Sequence, residues 1–206
     1  MILLDLYLTR HGQSWGNIPP YCTTPHLVKN RPPGIETGRM EDDWCLTELG
    51  QRQAEALGER LSAVDFDAIW SSPLERAHAT AKAVQARQAQ PVEIKLAREL
   101  MEIFDYGDTT PEEWHTRSLQ MTQALQGGCP PGARMLVVAH GAFNSYLLTA
   151  LLGLPGPERL LHFWNHNTGL TRIVFSAERD MQPWDCNVRL YHLNDLSHLA
   201  PELITE

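Results

Sequence analysis

Basic residues are scarce in this chain. Seventeen Lys and Arg stand against 25 Asp and Glu, a formal net charge of −8. A nucleic-acid surface should be basic, so nucleic acid is not an expected partner. An anionic small molecule is not excluded, because a few focused arginines make a positive pocket on a negative protein. No run of about 18 apolar residues occurs, so no membrane span is expected. The first residues carry neither a basic n-region nor a cleavage site, so a cytoplasmic location without a signal peptide is expected. The four cysteines, Cys22, Cys45, Cys129 and Cys186, are scattered. No CxxC pair suggests zinc or redox chemistry, and reduced thiols are expected. No GxxxxGK[S/T] string occurs, which excludes a P-loop hydrolase. His162 and His166 stand four apart, but position 163 is Phe rather than Glu, so the zinc-protease pattern is missing and structural histidines are expected. Repeats, low-complexity tracts and linkers are absent. A chain of 206 residues, 43% apolar and 20% charged, reads as one domain over 1–206. It is long enough to bury roughly 70% of its unfolded surface.

The chain is organised around residues 2–17. An apolar run, Ile2, Leu3, Leu4, Leu6, Tyr7 and Leu8, ends abruptly in Arg10-His11-Gly12. So short an apolar run reads as a buried strand. Gly12 then permits a sharp turn or a close approach to a ligand. The plan repeats at 135–141, where Met135-Leu136-Val137-Val138-Ala139 leads into His140-Gly141. Should the two strands lie side by side, both imidazoles face one pocket at the carboxyl end of the sheet, where α/β proteins bind ligands.

Between these strands the punctuation is clear. Residues 18–45 are broken by Pro19-Pro20, Pro25, Pro32-Pro33-Gly34 and Gly38, and read as a long loop. Such a loop is either a flap over the site or a mobile surface segment. Its Lys29, Arg31 and Arg39 are available to a second anionic group. A helix begins after Thr47, a good N-cap. A short strand over 66–70 is followed by Ser72, Pro73 and Glu75, which predict an N-cap, an N1 proline and a capping box. Arg76 then projects from the first turn of a helix, where a cation is unfavourable unless an anion faces it. A strand is expected over 92–96. A helix capped by Thr110 is expected over 111–125, and an apolar helix over 142–152 whose N-terminus suits a phosphate. Strands follow after Gly169 and at 188–194. The alternation of strands and helices supports an α/β class.

Several of these strings together resemble the histidine phosphatase superfamily, which includes the cofactor-dependent phosphoglycerate mutases. They are Thr9-Arg10-His11-Gly12 with Asn17, the segment from Leu46 to Ala54, Ser71-Ser72-Pro73-Leu74-Glu75-Arg76-Ala77 running on to Ala81, His140-Gly141, and the ending Leu193-Asn194-Asp195-Leu196. They occur in the family's order across residues 2–199. The resemblance implies a three-layer α/β/α sandwich with a mixed, mostly parallel six-stranded sheet and one antiparallel strand. It implies His11 as nucleophile, His140 as its catalytic partner, and Glu102 as general acid, with Glu99 and Asp105 as alternatives because the segment after Glu102 departs from the family string. Arg10, Arg76, Asn17, Gly12 and Gly141 are the implied substrate-binding residues. Two further departures are Gln13 at a position often glutamate, and the length of the 18–45 loop.

Such a set has a clear chemistry. Two guanidiniums match phosphate oxygens and absorb transition-state charge, so no metal or other cofactor is expected. Nearby cations keep His11 neutral, as a nucleophile must be. The expected function is hydrolysis of a small phosphorylated metabolite by a phosphomonoesterase of the histidine acid phosphatase type. Mutase-type phosphoryl transfer and non-catalytic phosphate binding are the alternatives. The mutases known to the family are longer, which favours hydrolysis. Substrate identity and oligomeric state are not legible.

Overall fold

In the computed structural model, residues 1–17, 45–156, 163–177 and 187–206 are described, with backbone alone at 104 and 105. The expected flap, with Lys29, Arg31 and Arg39, lies outside the described residues apart from Cys45. So do Cys22, Cys186 and His162. Cys45 and Cys129 are free thiols.

The sheet contains six strands: β1 (Ile2–Arg10), β2 (Ala68–Ser71), β3 (Ile94–Leu96), β4 (Ala133–Ala139), β5 (Leu170–Ser176) and β6 (Val188–Asp195). Their order is β3-β2-β4-β1-β5-β6. β1 pairs in parallel with β4, and β2 with both β3 and β4. β5 is antiparallel to both of its neighbours and is the single reversed strand. Helices α1 (Glu48–Leu61), α2 (Glu75–Gln85), α4 (Pro111–Gly127) and α5 (Gly141–Leu151) are joined by a short α3 (Ile103–Tyr106).

Alternation along the central strands builds two cores. Leu4, Leu6 and Leu8 of β1, with Met135, Val137 and Ala139 of β4, meet Met121 and Leu125 of α4 and Phe143 and Leu147 of α5. On the opposite face Tyr7, Leu136 and Val138 meet Leu57 and Leu61 of α1 and Ala77, Ala81 and Val84 of α2. The central strands β1 and β4 are thus buried on both faces, as their near-continuous apolar runs require, and the three-layer α/β/α architecture is as expected. The loops at the carboxyl ends of β1, β2 and β4 meet over one site.

Helix starts follow their local chemistry in two cases out of three. The Thr47 side chain accepts from Gly50 N–H at the start of α1. Thr110 and Glu113 form a reciprocal capping box on α4. The box expected at Ser72 does not form: α2 starts at Glu75, with Leu74 at the N-cap and no side-chain cap. The Ser72 hydroxyl instead lies 2.8 Å from His140 Nε2. The same hydroxyl accepts from Leu74 N–H at 3.3 Å, so it ties the turn before α2 to a fully buried histidine.

The Leu46–Ala54 string has a packing role. Gly12 and Gly50 lie backbone to backbone: a Cβ on Gly50 would collide with the Gln13 carbonyl, and one on Gly12 with the Gly50 carbonyl. Thr47 N–H donates to the Gln13 carbonyl, and Gln13 N–H to Gln53 Oε1 at 2.7 Å. Gln13 Oε1 accepts from the Thr47 hydroxyl at 2.9 Å, so an amide at this position completes the junction of β1 with α1. Gly50→Ala is expected to destabilise the protein by about 2 kcal/mol or more, the scale of overpacking. Gly127→Ala, which meets nothing within 4 Å, should be neutral or up to about 1 kcal/mol stabilising. Urea unfolding midpoints measure both, and equal shifts would contradict the contact.

Candidate active site

The register of β1 with β4 places Arg10 beside Ala139. His11 N–H donates to the Ala139 carbonyl at 3.0 Å, which carries the pairing one residue beyond the strand. His11 and His140 therefore emerge together, with ring centroids 5.1 Å apart and planes inclined by 59°. The two-residue period continues past the strand, sending Arg10 toward α5 and His11 toward α2.

The hydrogen bonds of His11 fix its tautomer. Arg76 Nε–H, which can only donate, lies 3.3 Å from His11 Nε2. That nitrogen must carry the lone pair, so the proton is on Nδ1 and donates to the Gly12 carbonyl at 2.7 Å. His11 and His140 are 3% and 0% exposed. Desolvation, then the charges of Arg76 and Arg10, push the His11 pKa well below the ordinary histidine value, only partly opposed by the Gly12 carbonyl. Burial and the same arginines, with His11 and Arg117, do likewise to His140. Both rings are neutral at pH 7.

Arg10 bridges to the other side. Its Nη1 donates to the Asn165 carbonyl at 2.7 Å. Its guanidinium passes beside Gly141, where a Cβ would make only ordinary contact, 3.4 Å from Arg10 Nε. Arg10 Nε and His140 Nδ1 are buried and have no hydrogen-bond partner among the described residues. Buried polar atoms are normally satisfied, so these two, beside neutral His11, leave donors available to an anionic ligand.

Glu102 stands at the edge of this group. Its carboxylate accepts from Phe143 N–H at 2.9 Å, Ala142 N–H at 3.2 Å and Ile103 N–H at 2.9 Å. It also attracts the Arg10 charge. The positive end of α5, expected to face a phosphate, instead holds this carboxylate. The physical reason is the same, since a helix N-terminus favours whichever anion is fixed nearest to it. Of the alternatives, Glu99 is exposed and only its backbone carbonyl is engaged, by Arg117. The Asp105 side chain lies outside the described residues.

Gly12 and Asn17 both help to hold the turn that follows β1. Gly12 N–H donates to Thr80 Oγ1 at 3.0 Å, and its Cα packs on Gly50, so the close approach is to a helix. Asn17 Oδ1 accepts from Ser14 N–H at 3.0 Å, closing the turn after β1. Sequence reasoning missed Thr80, Asn165 and Asn167, whose Nδ2 donates to the His11 carbonyl at 3.0 Å. It also gave Ser72 no role beyond a cap. Asn165 acts here through its backbone carbonyl, which leaves no mark on sequence. His166 Nδ1 bonds Asn194 Nδ2 at 2.7 Å, a structural role, and no metal-holding group occurs among the described residues.

The neutral histidines make stability depend on pH. An unfolded chain protonates His11 near pH 6.5, whereas the folded protein resists until well below that value. Over that interval the unfolded state binds more protons, so stability is lost as pH falls below about 6.5. In phosphate-free buffer, His11→Asn should flatten the decline by up to about 1.4 kcal/mol per pH unit. Unfolding free energies from pH 7 to pH 5 test this, and parallel curves would contradict a neutral buried His11.

Comparison with known proteins agrees with this geometry. The sequence profile of the histidine phosphatase superfamily (branch 1) matches residues 6–125 and 104–183. An uncharacterized phosphatase, PhoE, of Bacillus subtilis (strain 168) is 29% identical over 94% of this chain and 95% of its own. A probable phosphoglycerate mutase, GpmB, of Cronobacter sakazakii is 27% identical over 98% of both chains. Its matching extent removes length as a mark separating mutases from this chain. Among solved structures, the alpha-ribazole phosphatase of Shigella flexneri superposes with a TM-score of 0.65 at 21% identity, covering 93% of this chain and 96% of that one. A phosphoserine phosphatase mutant from Entamoeba histolytica gives a TM-score of 0.66 at 21% identity, over 96% and 100%. With the paired strand-His-Gly ends, the two arginines and the matched profile all in place, the chain belongs to branch 1 of the histidine phosphatase superfamily.

Proposed function

We propose that this protein is a phosphomonoesterase of the histidine acid phosphatase type, which hydrolyses small phosphorylated metabolites through a phosphohistidine on His11. The observation that carries the reading is the fixed tautomer of a neutral, buried His11. Its Nε2 lone pair is turned to Arg76, beside the unpartnered Arg10 Nε and His140 Nδ1.

Each step follows from those atoms. The His11 Nε2 lone pair attacks phosphorus while the bond from phosphorus to the ester oxygen breaks. Positive charge developing on the ring is stabilised at Nδ1–H by the Gly12 carbonyl 2.7 Å away. Arg10, Arg76 and His140 donate to the phosphoryl oxygens, where charge-assisted bonds are strongest. Two guanidiniums in place give the site its charge neutralisation without calling on a metal. Protonated Glu102 gives its proton to the departing alkoxide, then takes one from the water that attacks the phosphohistidine. Phosphate leaves and His11 returns to its starting tautomer.

A cytoplasmic location fits a metabolite substrate, and no helix among the described residues is long and apolar enough to cross a membrane. Relatives named for phosphoserine, alpha-ribazole and phosphoglycerate chemistry support small organic phosphates as the class. A mutase-type reading is favoured by the full-length match to GpmB. Binding without turnover is disfavoured by the presence of both histidines and both arginines.

Hydrolysis of an aryl phosphate in excess chelator should persist in the wild type and fall by more than about 10³-fold in His11→Ala. Release of inorganic phosphate from a metabolite panel, rather than isomerised phosphoglycerate, separates hydrolysis from transfer. Activity lost to the chelator, or retained in His11→Ala, would overturn the proposal.

A further inference from the structure

One strongly buried charge is unused by the chemistry above. Arg117, in the middle of α4, is 3% exposed. Its Nε donates to Asp108 Oδ2 at 2.6 Å. Its Nη1 donates to the carbonyls of Glu99, at 2.8 Å, and Met101, at 2.9 Å. The guanidinium carbon lies 4.3 Å from the ring centroids of both Tyr106 and Phe143. Burying a guanidinium is costly, and a well-packed apolar side chain is often as stable in its place. A purely space-filling role therefore does not explain the charge.

All of these contacts converge on the surroundings of Glu102. Met101 immediately precedes it and Glu99 lies three residues back. Tyr106 and Asp108 follow it. Phe143 supplies one of the backbone N–H groups that hold its carboxylate. The segment has little regular structure of its own, only a three-residue 3-10 turn at Arg98–Leu100 and the four-residue α3. Asp108 opens the stretch in which this chain departs from the family string after the expected acid. The departure thus supplies the carboxylate that anchors Arg117.

We infer that Arg117 is a positioning residue for Glu102: its planar fork joins the strand-to-helix segment carrying Glu102 to the N-terminal turn of α5, and so sets where the acid's proton is delivered. The inference rests on the reading of Glu102 as general acid. Arg117 carries five N–H groups in a rigid plane; three are donated here, to two backbone carbonyls and a carboxylate, and Nη2 has no partner among the described residues. Lysine keeps the charge without that plane. An acid held about 1 Å out of place is expected to lose on the order of 10²-fold in rate.

The test compares kcat/KM for two esters, a simple alkyl phosphate and 2,4-dinitrophenyl phosphate. This constant covers the steps up to leaving-group departure, and only the alkoxide needs a proton on departure. Glu102→Gln and Arg117→Met should each lower kcat/KM on the alkyl ester by about 10²-fold. On the dinitrophenyl ester each should lower it by less than about 3-fold, since general-acid help is then unneeded. The double variant should be no worse than Glu102→Gln, because the two residues act as one unit. Arg117→Lys should recover part of the loss. Equal losses on both esters for Arg117→Met, or effects that multiply in the double variant, would overturn the inference. If Arg117→Met fails to fold, Asp108→Asn loosens the same anchor, and a smaller loss confined to the alkyl ester is expected; an unselective loss overturns the inference there too. A flat response of Glu102→Gln itself would refute the acid reading and this inference with it. A selective Glu102→Gln beside an unselective Arg117→Met refutes the inference alone.

Discussion

The pairing of β1 with β4 is the constraint on which the site depends. Two strands distant in sequence run in parallel and in register to their last residues, and the His11 N–H bond to the Ala139 carbonyl extends the ladder past them. Both strands are buried on both faces, so a one-residue slip would invert every side chain between two filled cores. That is why the two imidazoles meet at a fixed separation. The packing of Gly12 on Gly50 then fixes how the chain leaves β1, and Thr80, which accepts from Gly12 N–H and donates to the Arg76 carbonyl, links that exit to α2. His11 and the arginine before it are set by the same few contacts.

Electrostatics explains why so much of this site is neutral histidine amid cations. Burial disfavours an imidazolium, and Arg76 and Arg10 repel it further. The positive charge is thus carried by groups that cannot lose it, while the groups that must share or accept electron pairs stay neutral. Glu102 is the compensating anion nearest Arg10, held by the N-terminal turn of α5 rather than by a guanidinium. Arg10 and Arg76 stand beside the two histidines, and Arg117 stands behind the segment that carries Glu102.

What the sequence makes legible depends on the range of the interaction. The buried strands are readable because burial on two faces leaves apolar runs at 2–8, broken only by Asp5, and at 135–139. The caps at Thr47 and Thr110 are readable because donor and acceptor lie within four residues. The same local logic misplaces the start of α2, where the Ser72 hydroxyl accepts from Leu74 N–H and also bonds His140 from another strand. The packing of Gly12 on Gly50 is not legible because the two lie far apart along the chain. The family strings locate Arg10, His11, Arg76, Glu102 and His140, and the structure brings these five together. Arg117, Thr80 and the carbonyl of Asn165 escape detection because their partners are distant, and because a backbone acceptor is the same in every residue.

The central claim is that His11 becomes covalently phosphorylated through Nε2. The most direct measurement is to quench the enzyme in denaturant during turnover of an aryl phosphate and locate the phosphoryl group by peptide mass spectrometry. The expected result is a single phosphoryl group on His11, labile to acid and stable to base as a phosphoramidate is, and absent from His11→Ala. A phosphoryl group on Ser72 or His140, or steady turnover with no covalent species at any quench time, would contradict it.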